Sequence, residues 1–154
     1  MVAVIQRVCK AGVVIDNVQF SSIANGLLVL LGVCVSDSEE DVKWMVQKIA
    51  NLRIFSDSEM KMNLSIKDIN GEVLVVSQFT LLANTKKGNR PSFTEAAKPD
   101  LAIPLYELFI SKMQGHLNNE IKTGKFGADM KVDLLNDGPV TIILDSKQSP
   151  DERS

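Results

Sequence analysis

A single histidine, His116, and two cysteines, Cys9 and Cys34, are all the imidazole and thiol groups that this chain offers. One imidazole and two thiols without metal-type spacing make no zinc motif, and they leave no Ser-His pairing for nucleophilic catalysis. No metal and no cofactor are expected. His116 reads as an exposed residue at a helix end. Cys9 and Cys34 fall in apolar strand-like segments, where a reduced thiol packs as a buried small hydrophobe. Long apolar runs are missing too. The longest, Leu27 to Val35, falls far short of the roughly 20 residues of a membrane-spanning helix. The start, Met1 to Arg7, carries no basic leader followed by an apolar stretch and a cleavage site, so no secretion signal is read. A cytoplasmic location without a membrane partner is the expectation.

Excess positive charge is also absent. A formal charge of -2 argues against a protein that wraps nucleic acid through a large phosphate footprint, and no DNA partner is expected. Basic residues nevertheless gather in two places, Lys86, Lys87 and Arg90 in one, Lys122 and Lys125 in the other. They read either as scattered surface lysines or as a small local contact.

What is present is the composition of one ordinary domain. With 154 residues, 45% hydrophobic and 23% charged, the chain can bury about two thirds of its unfolded surface around one core. Residues 1–146 read as a single domain and 147–154 as a polar, disordered tail. No internal repeat is evident.

Val2 to Val8 and Ala11 to Ile15 read as strands broken at Cys9-Lys10, with a turn at Asp16-Asn17 before Val18 to Phe20. Gly26 to Val33 is an apolar run suited to a strand buried on both faces. Ser38 to Asp41 matches a capping pattern, and Val42, Met45, Val46 and Ile49 follow at helical spacing, so a helix is expected over 38–51. Asn70-Gly71 lies between the strand-like runs 66–69 and 72–76, which reads as a hairpin leading into Ser77. Residues 83–99 read as a long polar loop of a length that is often functional. Pro99-Asp100 opens a second helix carrying Leu101, Leu105, Leu108 and Phe109 on one face, and because Pro104 is tolerable only in a first turn, its regular part is expected to begin near 102. Lys131 to Leu135 and Val140 to Leu144 then form two strands around an Asn-Asp-Gly-Pro turn. Strands before, between and after two helices imply an α+β domain with mainly antiparallel sheets.

Two segments carry a resemblance. Ser77-Gln78-Phe79-Thr80-Leu81 and Asn136-Asp137-Gly138-Pro139-Val140-Thr141, with flanks Val75-Val76, Lys87 to Phe93 and Thr123 to Met130, resemble the paired signature of the D-aminoacyl-tRNA deacylases. The resemblance spans residues 1–146. It implies that family's fold, a barrel-like core of mainly antiparallel sheets with two main helices. It also implies hydrolysis of the ester of D-aminoacyl-tRNA at its 3′ end, releasing the D-amino acid and so proofreading chirality in translation. The implied assembly is a homodimer with active sites at the subunit interface.

The resemblance further implies that the backbone N–H groups of Phe79 and Thr80 form an oxyanion hole. One such donor is worth about 10² to 10³ in rate. Thr80 and Ser77 carry the signature's hydroxyls, which read either as nucleophiles or as groups that hold the strand end in place. Direct attack by water, assisted by a ribose hydroxyl of the substrate, is favoured. Gln78 could support the strand end. As residues alone, Gly138-Pro139 is a plain trans turn. The resemblance instead implies a cis bond whose carbonyls reach the partner subunit's site, receive the substrate ammonium and crowd out an L side chain. Arg7 reads either as a surface arginine or as the group pinning the Gly138 and Pro139 carbonyls. Phe126 and Met130 would be core residues on pattern alone; by similarity they contact the terminal adenine. Two rivals stand beside this reading: a relative that deacylates L-alanyl-tRNA, and a module that binds tRNA ends without hydrolysing them.

Overall fold

The computed structural model describes residues 1–148. Its framework is a long first strand, β1 (Val2–Ile15), whose two halves have different neighbours. Val2 to Val8 pair antiparallel with β3 (Gly26–Gly32), and Ala11 to Ile15 pair antiparallel with β2 (Val18–Ile23). Asp16 and Asn17 take positive φ in the intervening turn, a conformation that Asn and Asp tolerate better than most residues. The other edge of β1 is covered along nearly its whole length by β8 (Lys131–Asp145).

The expected break at Cys9-Lys10 is a bulge instead. β1 stays continuous, its pairing with β8 shifts between Val8 and Lys10, and both Cys9 and Lys10 are exposed. Cys9 is therefore a free surface thiol rather than a buried one, and Cys34 is half-buried.

β3 is buried along almost its full length because it lies between β1 and β6 (Glu72–Ser77), the latter pairing with it in parallel. β7 (Lys122–Thr123) extends β6, again in parallel. Ser21 on β2 donates to the Thr123 carbonyl on β7 at 2.8 Å, so the two ends of the sheet meet and the barrel is nearly closed. A two-stranded ribbon, β4 (Phe55–Ser56) with β5 (Met62–Leu64), stands apart.

The hairpin expected at Asn70-Gly71 does not form. Residues 66–70 are turns, shaped by Asp68, whose carboxylate accepts from both the Ser65 N–H and the Ser65 hydroxyl at 2.8 Å. Asn70 takes φ 50° and Gly71 starts the approach to β6, whose partners come from distant parts of the chain.

α1 (Glu39–Asn51) starts where expected, with the Asp41 carboxylate accepting from the Ser38 N–H at 2.9 Å. α2 (Pro99–Gln114) begins at the first proline, and Pro104 is accommodated inside it. Its buried face is Ala102, Leu105, Tyr106, Phe109 and Met113, whereas Leu101 is exposed and Leu108 only partly covered. His116, just past its end, is half-buried rather than exposed.

Both helices pack on one face of the sheet around Met45, Ile49, Phe109 and Met113. A smaller cluster, with Val8, Leu28 and Leu74, fills the other face. Asp41 is buried among polar partners: it accepts from Ser146 at 2.7 Å and pairs with Lys147 at 2.9 Å. Burial alone would raise its pKa, but the hydrogen bonds from Lys147, Ser146 and Ser38 outweigh that and hold it well below the usual carboxylate range. Lys147 is thus docked rather than part of a disordered tail; 149–154 of that tail lie outside the described residues.

Candidate active site

Strand β6 ends at Ser77, and the chain turns at once into a single 3₁₀ turn, Phe79–Leu82. Gln78 still belongs to the ladder, its N–H donating to the Leu31 carbonyl at 2.8 Å. The next two donors are different. Neither the Phe79 nor the Thr80 N–H meets an acceptor among the described residues, as expected for the opening residues of a helical turn. Gly32 makes this geometry feasible, because a Cβ there would lie 3.0 Å from the Gln78 carbonyl oxygen and 2.5 Å from Leu82 Cδ2. The turn therefore seats directly on β3.

A cavity of about 330 Å³ opens beside these donors. Ser77, Gln78 and Phe79 form one wall, Phe126 and Met130 another, and Tyr106 and Ala102 of α2 close it. Five of the nine site residues expected from sequence thus come together. Thr80 follows immediately but does not line the cavity itself. Its hydroxyl accepts a short hydrogen bond from the Gln78 side-chain amide, a group that cannot act as a base.

The aromatic walls are held by neighbours that sequence reasoning passed over. Phe93 meets Phe79 edge-on at 5.1 Å between ring centres, and Tyr106 meets Phe126 at 5.9 Å. Tyr106 donates to the Val75 carbonyl at 3.0 Å, and burial pushes its pKa up to about 12, so the hydroxyl remains a donor at neutral pH. Tyr106 could have been found from its spacing, since Ala102, Tyr106, Phe109 and Met113 share one helical face. Gly124 lets Met130 sit close, because a Cβ there would run into its sulfur.

Gly138, Pro139 and Arg7 form a separate cluster that does not line this cavity. Between Gln6 and Val8 the first strand advances two residues while β8 runs from Thr141 back to Asn136, so residues 137–140 leave the ladder without making a hairpin turn, with 137–139 exposed and Val140 turned into the core. The Gly138-Pro139 peptide bond is cis, and Gly138 takes φ 126°. Arg7 faces the bulge, but its hydrogen bonds do not go to Gly138 or Pro139. Its Nε donates to the Asp137 carbonyl at 3.2 Å and lies 3.2 Å from the Asp137 carboxylate, while Nη1 donates to the Ile54 carbonyl at 2.7 Å. Asn136 secures the other side, its Oδ1 accepting from the Val140 N–H at 3.0 Å. Among the described residues no helix is long and apolar enough to cross a membrane.

A nearly closed α+β barrel thus places two main-chain donors, without an acceptor among the described residues, beside an aromatic-walled cavity. Residues 4–145 match the model of the D-Tyr-tRNA(Tyr) deacylase family, and the chain belongs to that family. A D-aminoacyl-tRNA deacylase of Cytophaga hutchinsonii is 65% identical over 147 residues, covering 96% of this chain and 98% of the relative. One from Bacteroides fragilis is 56% identical over the same shares of the two chains. Among solved structures, a c-Myc DNA unwinding element binding protein is 43% identical with a TM-score of 0.90, over 94% of this chain and 98% of that one. A structure described as a probable eukaryotic D-amino acid tRNA deacylase shares the fold, with a TM-score of 0.78 at 16% identity over 93% of this chain and 97% of that one.

Proposed function

We propose that this protein hydrolyses the ester linking a D-amino acid to the terminal adenosine of tRNA. The observation that carries the reading is the pair of unpaired N–H groups, Phe79 and Thr80, at the edge of a cavity walled by Phe126 and Met130. An aminoacyl ester is already labile, because the neighbouring ammonium draws electron density from its carbonyl. What it requires is a water, two donors for the tetrahedral oxyanion and a surface for the adenine. A pair of preorganised donors supplies the largest share of such catalysis, each worth roughly 3 to 4 kcal/mol.

The Thr80 hydroxyl has an amide rather than a base as its partner, which favours water over Thr80 as the nucleophile. A ribose hydroxyl of the substrate then helps move the proton. Phe126 offers a face to the adenine and Met130 a polarizable edge.

Selection between isomers falls to the bulge at Gly138 and Pro139, which in this reading enters the cavity of a second copy. Leu135 and Ile143, at 53% and 70% exposure, flank the bulge on the same strand and supply apolar surface for a two-fold contact. Carbonyls of the bulge receive the ammonium and leave no room for an L side chain. Arg7 stiffens the bulge through Asp137. Glycyl-tRNA, with only hydrogen at the contested position, is then a substrate as well, and its full resistance would sink rejection by crowding. The setting implied is the cytoplasm, where aminoacyl-tRNA is used.

The 43% identical structure is named for binding DNA, which gives weight to a second reading, nucleic-acid binding without hydrolysis. A third, cleavage of L-alanyl-tRNA, belongs to a relative on the same fold. One experiment separates them: ester loss from a tRNA charged with D-tyrosine, L-tyrosine or L-alanine, with and without the protein and with a chelator present. Selective loss of the D ester supports the proposal. Binding with all three esters intact supports the second reading, and loss of the L-alanyl ester alone the third.

A further inference from the structure

Charge is unevenly distributed around the cavity. Residues 83–94 carry Lys86, Lys87 and Arg90 and no acidic residue, in a chain whose formal charge is -2. All three side chains are exposed, and none has a carboxylate partner among the described residues. Outside the loop Lys43, Lys61, Lys122, Lys131 and Lys147 are each paired with an acid, while Lys10, Lys48, Lys67, Lys98 and Lys112 have no such partner among the described residues but stand singly along the chain, so what distinguishes 83–94 is three such cations within five residues and no acid among them. The nearest acid beyond the loop, Glu95, lies on the far side of its closing bridge, and Asp129 on the cavity wall is taken by Lys131. Exposed Lys125, next to Phe126, is likewise without an acidic partner.

The loop is not a loose arm. Asn84 and Ser92 exchange both backbone hydrogen bonds, at 2.8 and 2.9 Å, and the Asn84 side chain accepts from the Lys86 N–H at 2.9 Å. One leg grows directly from the turn holding Phe79 and Thr80, and the other runs to Ala97, which lines the cavity. Phe93 on the second leg packs against Phe79. Lys86 and Arg90 each stand two residues beyond the bridge, at most about 7 Å of chain. Three mutually repelling cations are therefore held on a short, pinned tether whose feet are parts of the site.

We propose that this loop is an electrostatic clamp for the phosphodiesters of the single-stranded acceptor end, with Lys125 meeting the strand from the opposite wall. It rests on the reading of the substrate as an aminoacyl-tRNA. Phosphates relieve the repulsion between the cations and release counterions as they bind, so the clamp acts on affinity and on its salt dependence. It leaves the ester chemistry alone.

The test uses the full-length protein and the variant K86A/K87A/R90A, with K43A/K61A/K67A as a control that removes the same charge outside the loop. Each is given D-tyrosyl-tRNA and the D-tyrosyl ester of adenosine, which has the ester and the base but no phosphate. The loop variant should raise KM on the tRNA by about tenfold or more, and flatten the slope of log kcat/KM against log salt by about 2, as loss of three single-strand phosphate contacts requires. Its kcat, and its rate on the nucleoside ester, should match those of the unaltered protein. Equal KM and equal salt slope for the loop variant and the unaltered protein overturn the clamp, as does an equal effect of the control variant. Hydrolysis of neither substrate by the unaltered protein would instead bring down the deacylase reading. Salt-dependent binding of uncharged tRNA by the same three proteins then decides the clamp on its own, no difference between them overturning it.

Discussion

Replacing Gly32 by alanine tests whether the main-chain donors of Phe79 and Thr80 carry the chemistry. Gly32 lies on β3, away from any reacting group, and its added methyl would stand 3.0 Å from the Gln78 carbonyl oxygen, 3.2 Å from Leu81 Cβ and 2.5 Å from Leu82 Cδ2. Leu82 can rotate, but the backbone oxygen of Gln78 can only recede, and it takes the Phe79 and Thr80 amides with it. Overpacking of this kind costs about 1 to 3 kcal/mol, or roughly 3 to 10 °C in Tm for a domain of this size. Displacing the donors by a fraction of an ångström should lower kcat by about 10- to 100-fold, given the rate that each such donor supplies. KM should change little, since Phe126, the proposed adenine surface, is on another wall. Single-turnover loss of D-tyrosine from tRNA, paired with a thermal melt, gives both quantities. Ile49→Val, at a fully buried position of α1, is the control: it costs about 0.5 to 1.5 kcal/mol and should leave kcat unaltered. A Gly32→Ala protein that is destabilised yet keeps its full kcat would refute the placement of the oxyanion at these donors.

Thr80→Ala should keep activity within about tenfold, the loss of an orienting hydrogen bond rather than of a nucleophile, and a trapped acyl-enzyme on Thr80 would contradict this. Phe126→Ala should raise KM by about 10- to 100-fold through lost base stacking, with kcat nearly kept; an unchanged KM would remove the adenine from that wall. Asp41 has a folded-state pKa below its unfolded one, so its contribution to stability is fully present above about pH 4 and is lost as the pH falls further. Asp41→Asn should therefore be less stable at pH 7 and show a flatter acid limb in melts taken down the pH scale. Identical acid limbs in the two proteins would place the acid sensitivity elsewhere.

Local features of the fold were legible because their causes are local. α1 is specified by Ser38, Asp41 and four apolar residues at helical spacing, and β3 by an unbroken run of apolar side chains. The Asn70-Gly71 hairpin was misread because the run before it is capped by Ser65 and Asp68 into turns, and because β6 finds its partners in β3 and β7, an arrangement with no short-range signature. Strand β8 was read as two strands for a similar reason: Asn-Asp-Gly-Pro looks like a turn until a partner as long as β1 is present to pair with both sides of it. At the candidate site, the two signature segments were visible as segments, and Ser77, Gln78, Phe79, Phe126 and Met130 do share a cavity. Phe93, the support of Phe79, was hidden because an edge-on ring contact leaves no pattern in the chain, whereas Tyr106, the support of Phe126, was legible in its helical spacing with Ala102, Phe109 and Met113. Nor could the sequence show that the guanidinium of Arg7 would reach Asp137 and Ile54 rather than the next two carbonyls.

The bulge in β8 acts as an expansion joint. Pairing resumes on both sides of residues 137–140, from Thr141 outward and from Asn136 inward, and each side is registered independently against β1. In an uninterrupted strand, one inserted residue would turn every later side chain to the opposite face of the sheet. Here an insertion or deletion within the exposed residues 137–139 should be absorbed before the ladder restarts, so that Val140, Ile142 and Leu144 stay packed against the core. The segment that faces Arg7 can thus change length and chemistry while the barrel wall that carries it stays the same, leaving room for relatives on one scaffold to differ in what they admit.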